Sequence, residues 1–159
     1  MIRPATAGDH DGIWEIFSSV IRPGDTYVFD PETPRKELEK HWLASNMHTY
    51  VYQTDRRILG TYFLKPNQVG LGDHIANAGY MVHPEAQGKG IGQTMCEHSM
   101  EEARRLGYHA MQFNIVVSTN VAAIAVWKKF GFEIVGTLSE VFRHRKQGLV
   151  DAYVMYRKL

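Results

Sequence analysis

A single cysteine, Cys96, occurs among 159 residues, so no internal disulfide can form and a reducing, cytoplasmic setting is the simplest expectation. Metal-ligand spacing is lacking as well. The 8 histidines include no paired motif and no CxxC accompanies them, so no metal is expected. Charge of one sign is equally scarce: 18 Lys and Arg face 17 Asp and Glu, a net charge of +1. That balance supplies no field for nucleic acid or an anionic membrane, and the expected partners are small molecules. No apolar stretch approaches the roughly 20 residues that cross a bilayer, and Met1-Ile2-Arg3-Pro4 lacks the apolar run of a signal peptide. Repeats and low-complexity tracts are absent too. With 44% hydrophobic and 22% charged residues, residues 1–159 read as one globular domain with a single substantial core.

What is present is a readable order of elements. Residues 1–5 suggest a short strand. After the capping candidate Asp9, Ile13, Ile16, Phe17 and Val20 recur at three- and four-residue steps, which predicts a helix ending near Val20. The turn-rich stretch 22–31 carries two aromatic rings, Tyr27 and Phe29, and reads as an ordered loop and a candidate substrate lid. Thr33 before Pro34 matches an N-cap and first helical position, opening a helix to about Ala44. Period-two alternation over 48–64 with a polar turn at 54–57 predicts an antiparallel pair. A strand over 75–83 then runs into a glycine-rich turn and a helix over 91–106 that Gly107 ends. Strand 110–117, helix 120–130, strand 132–138 and strand 149–156 follow. The order gives a mixed, twisted α/β sheet of about seven strands with about four helices packed on its faces.

The most informative segment is His83-Pro84-Glu85-Ala86-Gln87-Gly88-Lys89-Gly90-Ile91-Gly92-Gln93, where a strand becomes a helix through glycines. A helix start carries about half a positive charge and exposed N–H groups, and glycines let a pyrophosphate approach the backbone. A phosphate-bearing cofactor is implied. The dinucleotide fingerprint GxGxxG fails because Gln93 stands at its third glycine, and the nucleotide-triphosphate loop GxxxxGK[ST] is absent.

The pattern Gln87-x-x-Gly90-x-Gly92 after Val82-x-Pro84 resembles the pyrophosphate motif of the GCN5-related N-acetyltransferases (GNAT). Asn120-Val121-Ala122-Ala123-Ile124-Ala125-Val126-Trp127-Lys128-Lys129-Phe130-Gly131-Phe132 resembles the second motif of that family. The resemblance implies an acetyl-CoA-dependent acyltransferase with its cofactor between two splayed parallel strands, 75–83 and 110–117. It implies pyrophosphate contacts from the backbone of Gln87, Gly88, Lys89, Gly90, Ile91, Gly92 and Gln93, and pantetheine contacts from Met81 and Val82. Asn120 would cap the next helix and bond the pantetheine, and Lys129 would meet cofactor phosphate or remain a solvated helix lysine.

Acyl transfer from a thioester to an amine needs a neutral amine, a donor for the carbonyl oxygen and a tolerable leaving group. Many members of the family use a strand glutamate as base and a tyrosine of the second motif as acid. Here that tyrosine position is Trp127, and strand 75–83 holds no carboxylate. Positioning, with a backbone N–H near Met81 or Val82 as donor, would then supply most of the rate. The strands do carry two asparagines, Asn77 and Asn114. These either satisfy each other or the backbone, or hold the substrate as the catalytic pair. The triplet Asn77, Asn114 and Asn120 resembles the branch of azetidine-2-carboxylate (proline-analogue) N-acetyltransferases, which implies a detoxifying enzyme for a small amino-acid-like amine. Tyr27 and Phe29 are candidate substrate contacts or loop anchors. His83 and His144 read as surface histidines, the run 143–146 as a solvated basic loop, and Cys96 as a small core residue. Two alternatives stand beside this reading: acetylation of a protein or peptide amine, and a non-catalytic acyl-CoA-binding sensor. A homodimer through the C-terminal strands is a further implication of the family.

Overall fold

The computed structural model describes residues 1–159 and shows seven strands in one mixed sheet, ordered β1-β2-β3-β4-β5-β7-β6. In chain order these are β1 (Ile2–Pro4), α1 (His10–Ile21), α2 (Leu38–Trp42), β2 (His48–Thr54), β3 (Arg57–Pro66), β4 (Ile75–Val82), α3 (Ile91–Arg105), β5 (Ala110–Val117), α4 (Val121–Lys129), β6 (Glu133–His144) and β7 (Gly148–Lys158). Only β4 and β5 pair in parallel, and their ladder holds at just three positions, Ile75 with Ala110, Ala76 with Met111 and Asn77 with Gln112. Beyond Asn77 the two strands part, as the family resemblance led one to expect.

The helices lie on both faces; α1, α2 and α3 each bury an apolar stripe, whereas α4 has no fully buried residue. On one side α1 and α2 bury Ile13, Ile16, Phe17, Leu38 and Trp42 against Val51, Phe63 and Met81. On the other, α3 buries Met95, Cys96, Met100 and Ala103 against Tyr62, Met111, Phe113 and Met155. Close approach fixes one glycine: a Cβ at Gly79 would lie 2.7 Å from Phe63 and 3.2 Å from Trp42.

Several local readings change in the folded chain. Asp9 does not cap α1, because both guanidinium nitrogens of Arg3 (2.8 Å each) and the Thr6 N–H (2.7 Å) take its carboxylate. The Thr33 hydroxyl donates to the carbonyl of Asp30, and a 3₁₀ turn at Arg35–Glu37 precedes a short α2. Strand β6 runs on to His144 across an irregularity between Leu138 and Phe142, where Glu140 takes a φ of 54°. The basic run therefore forms the tip of the β6–β7 hairpin. Arg145 there donates its N–H to Gly24 O and its guanidinium to Arg22 O, tying the hairpin to the loop after α1.

Beside α3, Tyr50 donates to Glu102 (2.7 Å), which Arg105 also holds at 2.7 Å. The Arg105 guanidinium first, and the Tyr50 hydroxyl after it, keep the Glu102 carboxyl at about 2. Since this lies below the unfolded value of 4.5, the stabilisation is complete above that value and is lost as pH falls through about 2. E102Q is expected to flatten this acid dependence and to cost about 1 kcal/mol at neutral pH. Urea unfolding at pH 7, 4 and 2 checks it; parallel curves for variant and wild type would reject the role.

Candidate active site

The glycine turn is built locally. A 3₁₀ turn at Pro84–Ala86 follows β4, with His83 Nδ1 accepting the N–H of Glu85 and the buried Ala86 methyl anchoring the bend. Gly88 (φ 77°) and Gly90 (φ 78°) are left-handed, and Gly90 is the residue before the first turn of α3. None of the N–H groups of residues 88–93 donates to another group of the protein, whereas the Gln87 N–H points to Pro84 O at 3.4 Å. A row of free amides at a helix start, with open space where Cβ atoms would stand on Gly88 and Gly90, has the donor geometry of a diphosphate cradle. The residues present fit the phosphates of an acyl-CoA. Of the residues expected to make turn contacts, Gln87 already directs its amide to Pro84 O, and Ile91 has a buried side chain that leaves only its backbone at the turn. Lys129 on α4 donates to Gln93 Oε1 at 2.6 Å, tying the two helices at this mouth.

Between the parted strands the backbone alternates. Asn67 N–H donates to Ile75 O and His83 N–H to Leu59 O, so the odd-numbered residues of β4 turn their amides and carbonyls toward β3. Ala78, Tyr80 and Val82 therefore face the gap. The backbone contact expected of Met81 does not fit this geometry, because its groups pair with Thr61 of β3; the neighbouring backbone that faces the gap is that of Tyr80. The Tyr80 N–H and carbonyl are both engaged by one atom, the Tyr27 hydroxyl, at 2.8 and 2.5 Å.

A cavity of about 400 Å³ passes through the gap. On the α4 side Tyr80, Phe113, Asn120, Ala123 and Trp127 line it; on the α1–α2 side it meets Tyr27, Phe29, His41, Phe63, Lys40 and Lys65, with Asn77 and Asn114 between. No aspartate or glutamate borders it. Trp127 packs 4.8 Å from the Tyr80 ring and 4.9 Å from that of Phe113, so the α4 wall presents aromatic carbon where many family members carry a phenol.

The two asparagines do not bond each other. Asn77 Nδ2 donates to Gln112 O at 3.0 Å, and Asn114 Nδ2 donates to Asn67 Oδ1 at 2.7 Å while its Oδ1 accepts from Gln112 Nε2. Asn120 Oδ1 caps α4 by accepting the Ala123 N–H at 3.3 Å. Tyr27 and Phe29 both reach the cavity, stacked on each other 5.9 Å apart at 11°. Sequence reasoning missed Tyr80, Lys40, Lys65, Asn67 and Gln112, since nothing local marks a strand residue as gap-facing or a helix lysine as cavity-facing.

Both histidines taken as surface residues are buried, because each folds its ring over its own turn. His83 is 6% exposed, with Nε2 3.1 Å from Glu15, and His144 is 7% exposed, its Nδ1 accepting the N–H groups of Lys146 and Gln147. Cys96 is fully buried, and burial pushes its thiol up to about 12, the condition of a packing residue and not of a nucleophile.

A free helix-start cradle leading into a parted pair of parallel strands defines an acyl-CoA-dependent acyltransferase. Residues 13–132 match the model of the Acetyltransferase (GNAT) family, and the chain belongs to that family. A structure described as a GCN5-related N-acetyltransferase from Kribbella flavida superposes with a TM-score of 0.94 at 35% identity, covering 100% of this chain and 97% of that one. A Salmonella typhimurium structure, yncA with its cofactor acetyl-CoA, shares the fold at TM-score 0.85 and 24% identity, over 100% of this chain and 93% of that one. Among curated proteins, N-acetyltransferase aca1 of Schizosaccharomyces pombe is 29% identical over 84% of this chain and 72% of its own. The L-amino acid N-acyltransferase MnaT of Escherichia coli is 32% identical over 43% of this chain and 39% of its own.

Proposed function

We propose that residues 1–159 form one N-acetyltransferase domain that acetylates the amine of a small amino acid or close analogue, recognised by its carboxylate. The observation that carries this reading is the acceptor half of the cavity. Lys40, Lys65 and His41 line it beside Asn77 and Asn114, and no carboxylate competes. An anionic group entering there meets two ammonium groups in a partly enclosed space, which favours carboxylate-bearing amines over bare ones. The aromatic wall of Tyr27, Phe29 and Phe63 suits a compact apolar side chain. The role printed for the Escherichia coli relative supports the same substrate class. Within it, a proline analogue such as azetidine-2-carboxylate is the first candidate, on the likeness of Asn77, Asn114 and Asn120, and with it a detoxifying role in the cytoplasm.

Acetyl-CoA, when bound, supplies the activated acyl group. The amides of residues 88–93 would hold its phosphates, with Lys129 at the mouth; Val82 and Asn120 would hold the pantetheine arm. Asn77 and Asn114 are each already fixed by a hydrogen bond, so they offer preset polar atoms to the acceptor at little entropic cost. With no carboxylate on the cavity wall, the proton of the amine passes to water. A departing thiolate of ordinary pKa near 8.5, roughly, needs no strong acid.

A thiol-release assay tests the reading. Each amino acid in a panel is compared with the amine that lacks its carboxyl group. At least one amino acid, cyclic imino acids included, is expected to turn over about tenfold or more faster than its decarboxylated partner, the discrimination one charge-assisted hydrogen bond provides. Equal rates would remove the carboxylate reading, and tight cofactor binding without release would point to a sensor. N77A is expected to lower turnover on the order of tenfold while the dissociation constant of acetyl-CoA changes less than about threefold. Unchanged turnover would strip Asn77 of its role.

A further inference from the structure

The Tyr27 hydroxyl lies within the gap between β4 and β5, although its ring belongs to the loop after α1. The Tyr80 N–H donates to it at 2.8 Å and it donates to Tyr80 O at 2.5 Å. The ring is held edge-on to Trp42 at 6.0 Å and stacked on Phe29, so the oxygen is placed by packing on the α1–α2 side. Trp127 closes the other side with aromatic carbon. The gap-facing Tyr80 N–H is thus directed at a phenol oxygen, and a thioester carbonyl arriving beside Tyr80 meets that hydroxyl first.

Resting on the acetyl-transfer reading above, we infer that Tyr27 is a catalytic residue: its hydroxyl, polarised by the Tyr80 N–H behind it, donates to the thioester carbonyl oxygen during transfer. The change needed is a rotation of the hydroxyl hydrogen from Tyr80 O toward the incoming oxygen, with the ring unmoved. In the chain N–H to O–H to carbonyl, each donor strengthens the next. As the amine nitrogen bonds to the carbonyl carbon, the carbon–sulfur bond breaks and its electron pair leaves on sulfur. The amine proton goes to water, and Tyr27 keeps its own. Burial pushes the Tyr27 phenol far above its ordinary range, which suits a donor that stays protonated at any working pH.

Y27F keeps the ring and removes only the hydroxyl. Calorimetry on the full chain, with infrared difference spectra of bound acetyl-CoA carrying a ¹³C-labelled carbonyl, reads the effect without an acceptor; thiol release with the best amine of the panel reads it with one. Affinity is expected to stay within about threefold, the carbonyl band to move to higher frequency than in wild type, and turnover to fall on the order of a hundredfold. An unmoved band with unchanged turnover would make Tyr27 a loop anchor only and overturn the inference. Tighter cofactor binding with faster turnover would make the hydroxyl a plug and overturn it equally. Wild-type protein that binds no acetyl-CoA overturns the acetyl-transfer reading and this inference with it, whereas failure at Tyr27 alone leaves that reading standing.

Discussion

Gly90→Val is expected to weaken acetyl-CoA binding on the order of a hundredfold. Gly90 has a φ of 78° and stands immediately before α3. A β-branched side chain in that left-handed well costs roughly 1–2 kcal/mol, and the chain escapes the strain by turning the peptide planes on either side. Those two planes carry the free amides of Gly90 and Ile91, in the middle of the run 88–93. Loss of even one charge-assisted hydrogen bond to phosphate costs about 1.5–3 kcal/mol, and tenfold in affinity corresponds to about 1.4 kcal/mol. Gly107→Val is the control. Gly107 has a φ of 86° and nothing within 4 Å of its missing Cβ, so it carries the same strain at the other end of the same helix, away from the cradle. Calorimetric titration with acetyl-CoA should separate the two variants widely. Equal affinities would show that the glycine turn is only a strand-to-helix connection.

Trp42→Ala is expected to destabilise the protein by about 3–5 kcal/mol, lowering its melting temperature by roughly 6–20 °C. Trp42 is fully buried. Its indole meets Phe63 edge-on at 4.8 Å and Phe17 at 5.9 Å, and Nε1 donates to Thr61 Oγ1 at 3.0 Å. The absence of a side chain at Gly79 lets the six-membered ring lie against β4, so truncation leaves a void that rigid sheet backbone cannot fill. The same indole braces Tyr27. Thermal denaturation followed by circular dichroism checks the stability. A fall under about 3 °C would mean that the loop and α2 collapse into the space, contrary to the packing described. Trp42→Phe keeps most of the ring contact and loses the hydrogen bond, a loss of about 1–2 kcal/mol.

The elements read most accurately from sequence were those whose signal is local. Helix α1 shows itself in Ile13, Ile16 and Phe17, and all three are fully buried. The α3 boundary shows itself in glycines that tolerate left-handed backbone, and the structure begins the helix at Ile91 as expected. Where competing partners decide, local signals mislead. Asp9 has a capping side chain, but Arg3 and Thr6 claim it. The run 143–146 reads as a solvated basic loop, yet β7 pairs with Arg143 and His144 and draws them into β6. The asparagines were legible as polar atoms needing partners; that the partners are Gln112 and Asn67 depends on register between strands.

By itself the sequence determined the glycine turn, the start of α3 and, through two short motifs, the family, since glycine conformations, helix starts and short motifs act over a few neighbouring residues. Only the tertiary structure decided which face of β4 looks into the gap. That choice follows from pairing with β3, and a shift of one residue would exchange Tyr80 for Met81. It also decided that a tyrosine from a distant loop reaches that backbone, and that Lys40 and Lys65 share one cavity with Asn77. Such contacts join residues far apart in the chain, and their geometry is set by packing across the sheet.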